Sequence, residues 1–132
     1  MLRYLGNELR IPLVCMGTKD AYLAIRTDPQ LENRFEPCVL PLWEDDKEFR
    51  ALLQSFVSAI PLKGRSDLNS TEIANFILKK SEGILGEISA IIRAAAKLAI
   101  RSLKEKIDLE LVKELDYKSL SERKNMFERA LA

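Results

Sequence analysis

Two residues in the first third of the chain have the type and setting for phosphate chemistry. Thr18 follows the apolar run Ile11-Pro12-Leu13-Val14-Cys15-Met16 and Gly17, and precedes Lys19-Asp20-Ala21. A hydroxyl at the C-terminal end of a buried parallel strand stands where open α/β folds bind ligands, and it can orient an attacking water or touch a terminal phosphate. The plain alternative is a strand-to-helix turn with Thr18 or Lys19 near the cap. Arg34, inside Leu31-Glu32-Asn33-Arg34-Phe35, offers a planar, permanently charged fork that matches phosphate oxygens. Its alternative is a surface ion pair with Glu32 or Glu36, worth little energetically. The pattern G-x-x-x-x-G-K-[ST] occurs nowhere in the sequence. Without that loop no run of backbone N–H groups can wrap a triphosphate, so this chain by itself is expected to bind ATP weakly or not at all.

Histidine is absent, which removes the commonest metal ligand and the commonest general base together, and no metal site is expected. The two cysteines, Cys15 and Cys38, both fall in apolar, strand-like runs and are expected as free thiols acting as small hydrophobes. At 132 residues, 47% hydrophobic and 31% charged, the chain can build one core or two small ones. A net charge of +1 generates no global field toward nucleic acid or membrane. No apolar stretch is long enough to span a bilayer and the N-terminus has no signal-peptide pattern, so a cytoplasmic location is expected.

The elements that must position Thr18 and Arg34 follow from periodicity. Leu2, Leu5 and Leu9 have helical spacing over 2–9, and the uninterrupted apolar run 11–16 reads as a strand buried on both faces of a parallel sheet. Asp20 to Arg26 supplies a short helix, and Asp28-Pro29 opens another as cap and first helical residue. Cys38 to Trp43, interrupted by Pro41, reads as an edge strand. Beyond Glu44 the pattern is helical only. Phe49, Leu52, Leu53, Phe56, Val57 and Ile60 form one stripe; Asn69 with Glu72 starts a second helix that stops at Gly83. A third, from about Ile84 to Leu103, is apolar over most of its circumference and belongs in the middle of a bundle; Asp108 caps a fourth and Ser119 with Glu122 starts a fifth. Lys97, Arg101, Lys104 and Lys106 complement the C-terminal dipole of the third helix, a solvated face rather than a DNA patch, because no aromatic residues interleave them.

The strand followed by Gly17-Thr18-Lys19-Asp20-Ala21, then Asn33-Arg34-Phe35, resembles the sensor-1 strand and arginine-finger box of AAA+ ATPases. Adding Leu2-Arg3-Tyr4-Leu5-Gly6-Asn7-Glu8-Leu9, Gly83-Ile84-Leu85-Gly86-Glu87-Ile88, Ala94-Ala95 and Ala99-Ile100, the chain to about Leu115 resembles the TniB/TnsC family of transposition ATPases. That resemblance implies Thr18 as sensor 1 and Arg34 as a finger acting in trans on a neighbour's nucleotide, so that both would be catalytic and nucleotide-contacting. It implies ATP and Mg2+ as cofactors of the complete protein and none for this chain by itself. Its implied partners are other AAA+ subunits in a homo-oligomer, a transposase and target DNA, with no membrane. The sensor-2 arginine of such lids is replaced here by Gly86, and the role does not pass to Arg93, read as a snorkelling surface residue.

The fold expected is therefore an α/β fragment over 1–43, the end of an AAA+ core with parallel strands, followed by an all-α lid bundle with a C-terminal helix over 44–132. The function expected is that of the C-terminal part of an ATP-dependent transposition regulator, not catalytically competent by itself. The alternative is a stand-alone helical interaction module, or a truncated regulator that docks on a full-length ATPase. A replication-initiator or clamp-loader relative would show the arginine that Gly86 replaces.

Overall fold

The computed structural model describes Tyr4, Asn7, Glu8, Arg10 and residues 12–131. Every regular element among them is a helix: α1 (Lys19–Arg26), α2 (Pro29–Glu32), α3 (Lys47–Ala59), α4 (Thr71–Ser81), α5 (Leu85–Arg101), α6 (Leu109–Lys113) and α7 (Leu120–Leu131). The expected α/β fragment is overturned, since no described residue lies in a strand. Residues 12–18 and 35–44 are extended or irregular, and Val14, Met16, Val39 and Leu40 are 83–93% exposed rather than buried. The physical reason is pairing. A strand buried on both faces needs a neighbour on each side to take its N–H and C=O groups, and the described residues supply none, so both runs leave their backbone to water. Cys15 and Cys38 are accordingly exposed free thiols, not buried hydrophobes. The helix expected over 2–9 lies largely outside the described residues; Tyr4, Asn7 and Glu8 are helical.

The chain divides into two compact units, Met1–Leu40 and Pro41–Ala132. In the first, Asp28 caps α2 by accepting from the Gln30 N–H at 2.9 Å, with Pro29 at the first helical position as the sequence predicts. Arg26 Nε reaches Glu32 at 2.8 Å and ties α1 to α2, and its guanidinium lies over the Tyr22 ring. Neither helix buries a residue fully.

The second unit holds the core. α5 presents Ile88, Ile91, Ile92, Ala95 and Ala99, all buried, to the core formed with α4 (Ile73, Ala74, Ile77), α3 (Phe49, Leu53) and α6 (Leu111, Val112). These lie on one face, while Arg93, Lys97 and Arg101 on the other are exposed, so α5 is not enclosed on most of its circumference as its apolar pattern predicts. Asp46 and Asp108 each accept from the backbone N–H three residues on, at 2.8 and 3.0 Å, and so satisfy an orphan donor at the start of α3 and α6. Helix α4 starts one residue later than the Asn69 cap predicts: Ser70 occupies the cap position without a side-chain bond. Asn69 is diverted to α3, where its carbonyl accepts from Arg50 at 2.8 Å and its amide donates to Gln54 at 3.3 Å. Gly83, at φ +71°, turns the chain between α4 and α5, and its carbonyl accepts from the Trp43 N–H at 2.8 Å. A Cβ there would stand 2.6 Å from the Trp43 carbonyl oxygen, so both conformation and space call for glycine.

Candidate functional site

Thr18 stands at the N-cap of α1 with extended backbone (φ −82°, ψ 175°), and its carbonyl accepts from the Tyr22 N–H at 3.1 Å. Its side chain makes no cap hydrogen bond and is exposed. The local cause is Gly17: a Cβ there would stand 2.7 Å from the Ala21 Cβ, so a residue without one lets the chain bend straight into the helix. Thr18 is thus a turn-to-helix residue, and the strand end on which the water-orienting geometry was to rest is not formed.

Arg34 follows the C-cap residue of α2, Asn33. Its backbone N–H donates to the Leu31 carbonyl at 3.0 Å and that of Phe35 to the same carbonyl at 3.2 Å, closing the helix under a half-buried Phe35 ring. The guanidinium does not pair with Glu32, which Arg26 holds; it donates instead through NH1 to the Asn7 side-chain oxygen at 2.9 Å. One neutral hydrogen bond aims the fork without neutralising it, and the side chain stays exposed. Such an arginine is free to give its remaining N–H groups to an anion. Among the described residues no hydrogen bond joins the Thr18 side chain to Arg34, so the structure brings Arg34 together with Asn7 and not with Thr18. Asn7 carried no signal by itself, since an amide beyond the helix-spaced leucines looks like any polar surface residue.

The described residues gather no cluster of Cys, Asp or Glu fit for a cation, and neither Thr18 nor Arg34 has a phosphate-wrapping loop beside it. A complete ATP–Mg2+ site does not fit these residues. The Arg34 guanidinium, exposed and held only by the Asn7 side-chain oxygen among the described residues, keeps N–H groups available to an anion. Gly86, in the first turn of α5, has open space around its missing side chain and no arginine to offer.

The other feature with the shape of a site lies in the second unit. A cleft of about 520 Å3 opens between the end of α4, the segment 115–118 and α7, with Lys80, Tyr117, Lys118, Asn125 and Arg129 on its walls. Beside it a polar network holds α7 in place. Glu87 accepts the Tyr117 hydroxyl at 2.6 Å and Arg123 at 2.7 Å; Glu82 accepts both the N–H and the hydroxyl of Ser121 at 3.0 and 2.8 Å. The Tyr117 hydroxyl and Arg123 hold the Glu87 carboxyl below the usual carboxylate range, and the Ser119 and Ser121 groups do the same for Glu82. Ser119 and Glu122 complete a reciprocal capping box at 2.8 and 3.2 Å, as their spacing predicts. None of the residues predicted to do chemistry lines this cleft.

No helix among the described residues is long and apolar enough to cross a membrane. Neither a curated protein nor a solved structure matches the chain significantly. Residues 1–45, about a third of the chain and the part that carries Thr18 and Arg34, match the family model of the bacterial TniB protein, and this relates the N-terminal part of the chain to the TniB family.

Proposed function

We propose that this chain is a transposition-associated regulator of the TniB type that works in contact with AAA+ ATPase subunits rather than by hydrolysing ATP itself. The observation that supports it most is that the segment matching TniB is the one in which Arg34 stands exposed, aimed by Asn7 and, among the described residues, unpaired with a carboxylate. On this reading Arg34 reaches across a subunit contact toward nucleotide bound by its neighbour, where a permanently charged fork stabilises charge on the transferring phosphoryl group. Thr18 is a secondary nucleotide contact. ATP and Mg2+ belong to the complete ATPase, and transposase and target DNA are reached through the assembly.

A second reading has its own support. The Pro41–Ala132 unit is a helical body with its own core, which suits a module that docks on a full-length ATPase. One titration separates the two. The purified chain is added to a TniB-family ATPase whose own finger arginine has been removed, and turnover is followed. Recovery of turnover by the parental chain and not by Arg34→Ala supports a finger in trans; equal effects of both support docking only. No effect of either removes both readings.

A further inference from the structure

Between Ile88 and Lys104 the sequence has four cations and no acid, although the whole chain is only +1, so the remainder is net negative. Arg93, Lys97 and Arg101 recur every fourth residue, which on a helix rising 1.5 Å per residue sets them about 6 Å apart on one side. The opposite side of α5 is locked into the core, so the rotation of the helix is fixed and all three cations are exposed. Among the described residues no carboxylate pairs with any of them: Arg93 Nε donates to the Ser89 carbonyl at 3.4 Å, while the next cation, Lys104, is drawn to Glu110 at 3.7 Å. C-terminal dipole complementation accounts for Arg101, in the last turn of α5, but not for Arg93, which lies in the middle of the helix where that effect has faded.

We infer that this ridge docks an acidic helix of a partner protein, one with carboxylates at every fourth position. Two features select a helix over a nucleic-acid backbone. Ala90 and Ala94, both partly exposed and outside the core cluster, lie beside the ridge with nothing longer than a methyl, so on that side a second helix can approach at the 8–10 Å that close packing requires. Where the ridge ends, Ile100 and Leu103 are 49% and 83% exposed, an apolar anchor of use to a protein side chain and of none to phosphates. The face carries no aromatic ring on which a base could stack. Matched repeats of opposite charge give register and a fast, salt-sensitive encounter, and the anchor supplies residence.

The probe is an alanine-rich helical peptide with glutamates at every fourth position and leucines beyond the last one, labelled and titrated with the full chain by fluorescence anisotropy at low and physiological salt. A permuted peptide of the same composition, its glutamates scattered round the helix, and duplex DNA of matched length are the comparisons. The variants are Arg93→Gln/Lys97→Gln/Arg101→Gln and, as a charge-matched set elsewhere, Lys47→Gln/Lys79→Gln/Lys113→Gln, each checked for an unchanged melting midpoint. The ridge variant should lose about tenfold or more in affinity, the other set less than about twofold, and the permuted peptide should bind about tenfold more weakly. Absent binding, equal binding of both peptides, or equal loss in both variants overturns the proposal. Tighter binding of duplex DNA that depends on the same three residues also overturns it and makes the ridge a phosphate-binding surface.

Discussion

The Tyr117 hydroxyl donates to Glu87 at 2.6 Å, and Arg123 closes on the other oxygen of the same carboxylate at 2.7 Å. Through this pair the start of α7 is held to the first turn of α5, and α7 buries no residue of its own. Met126, Phe127 and Leu131 are all at least half exposed. Helix α7 is thus attached by polar contacts at its first turn and not by an apolar seam. Tyr117→Phe removes one charge-assisted bond and should cost about 1 kcal/mol, seen as faster amide exchange over residues 119–131 with the α4–α5 core unaffected.

The same attachment should respond to acid. Glu87, Glu82 and Glu122 all titrate lower when folded than free, through bonds from Tyr117 and Arg123, from Ser119 and Ser121, and from Ser119 and Lys80 respectively. A depressed carboxylate contributes stability that is complete above its unfolded value, about 4.3. It is lost as pH falls through the folded value. The protection factors of the α7 amides, exchange rates corrected for the intrinsic pH dependence of exchange, should therefore be flat from neutral pH to about 5 and fall below about 4; Glu87→Gln should lower them at neutral pH and flatten that fall. An unchanged profile in Glu87→Gln would place the acid response elsewhere.

Two glycines three residues apart should behave oppositely. Gly83→Ala forces a side chain into φ +71° and against the Trp43 carbonyl, and should cost about 1–3 kcal/mol. Gly86→Ala meets open space inside the first turn of α5 and should raise stability by about 0.5–1 kcal/mol. Urea midpoints of the two variants should fall on either side of the parent's.

Ile92→Ala should cost about 2–5 kcal/mol, since the side chain is buried among helices that cannot collapse independently around the gap. Ser66→Ala should cost about 1–3 kcal/mol for a different reason: its hydroxyl accepts from the buried Ile107 N–H at 2.9 Å, and no other partner replaces it. A Ser66→Ala midpoint equal to the parent's would show that water reaches this N–H.

In an assembly that hydrolyses ATP, Arg34→Ala should leave nucleotide binding by the neighbouring subunit nearly intact and lower turnover by about 10³ where the finger engages fully. Arg34→Lys should not restore it, because a point charge lacks the fork. Asn7→Ala keeps the charge and removes the aiming bond, so a smaller loss, about tenfold, is expected. Turnover indifferent to Arg34 would leave it a surface residue.

Helix α5 was legible in the sequence because its apolar period is long; so were the Asp28, Asp108 and Ser119–Glu122 caps, whose chemistry is complete within four residues. The runs 11–16 and 38–43 were misread because apolar composition reports a wish to be buried, whereas a strand exists only if another segment takes its hydrogen bonds. Arg34 could be picked out by type and spacing, but its orientation rests on Asn7, 27 residues earlier, and no local pattern encodes that pairing. The grip of Glu82 and Glu87 on Tyr117, Ser121 and Arg123 likewise spans 30 to 39 residues. Short-range signals settle where helices begin and end, since capping and periodicity act within a turn or two; which charged groups meet is decided only when the packed core brings distant turns to hydrogen-bond distance.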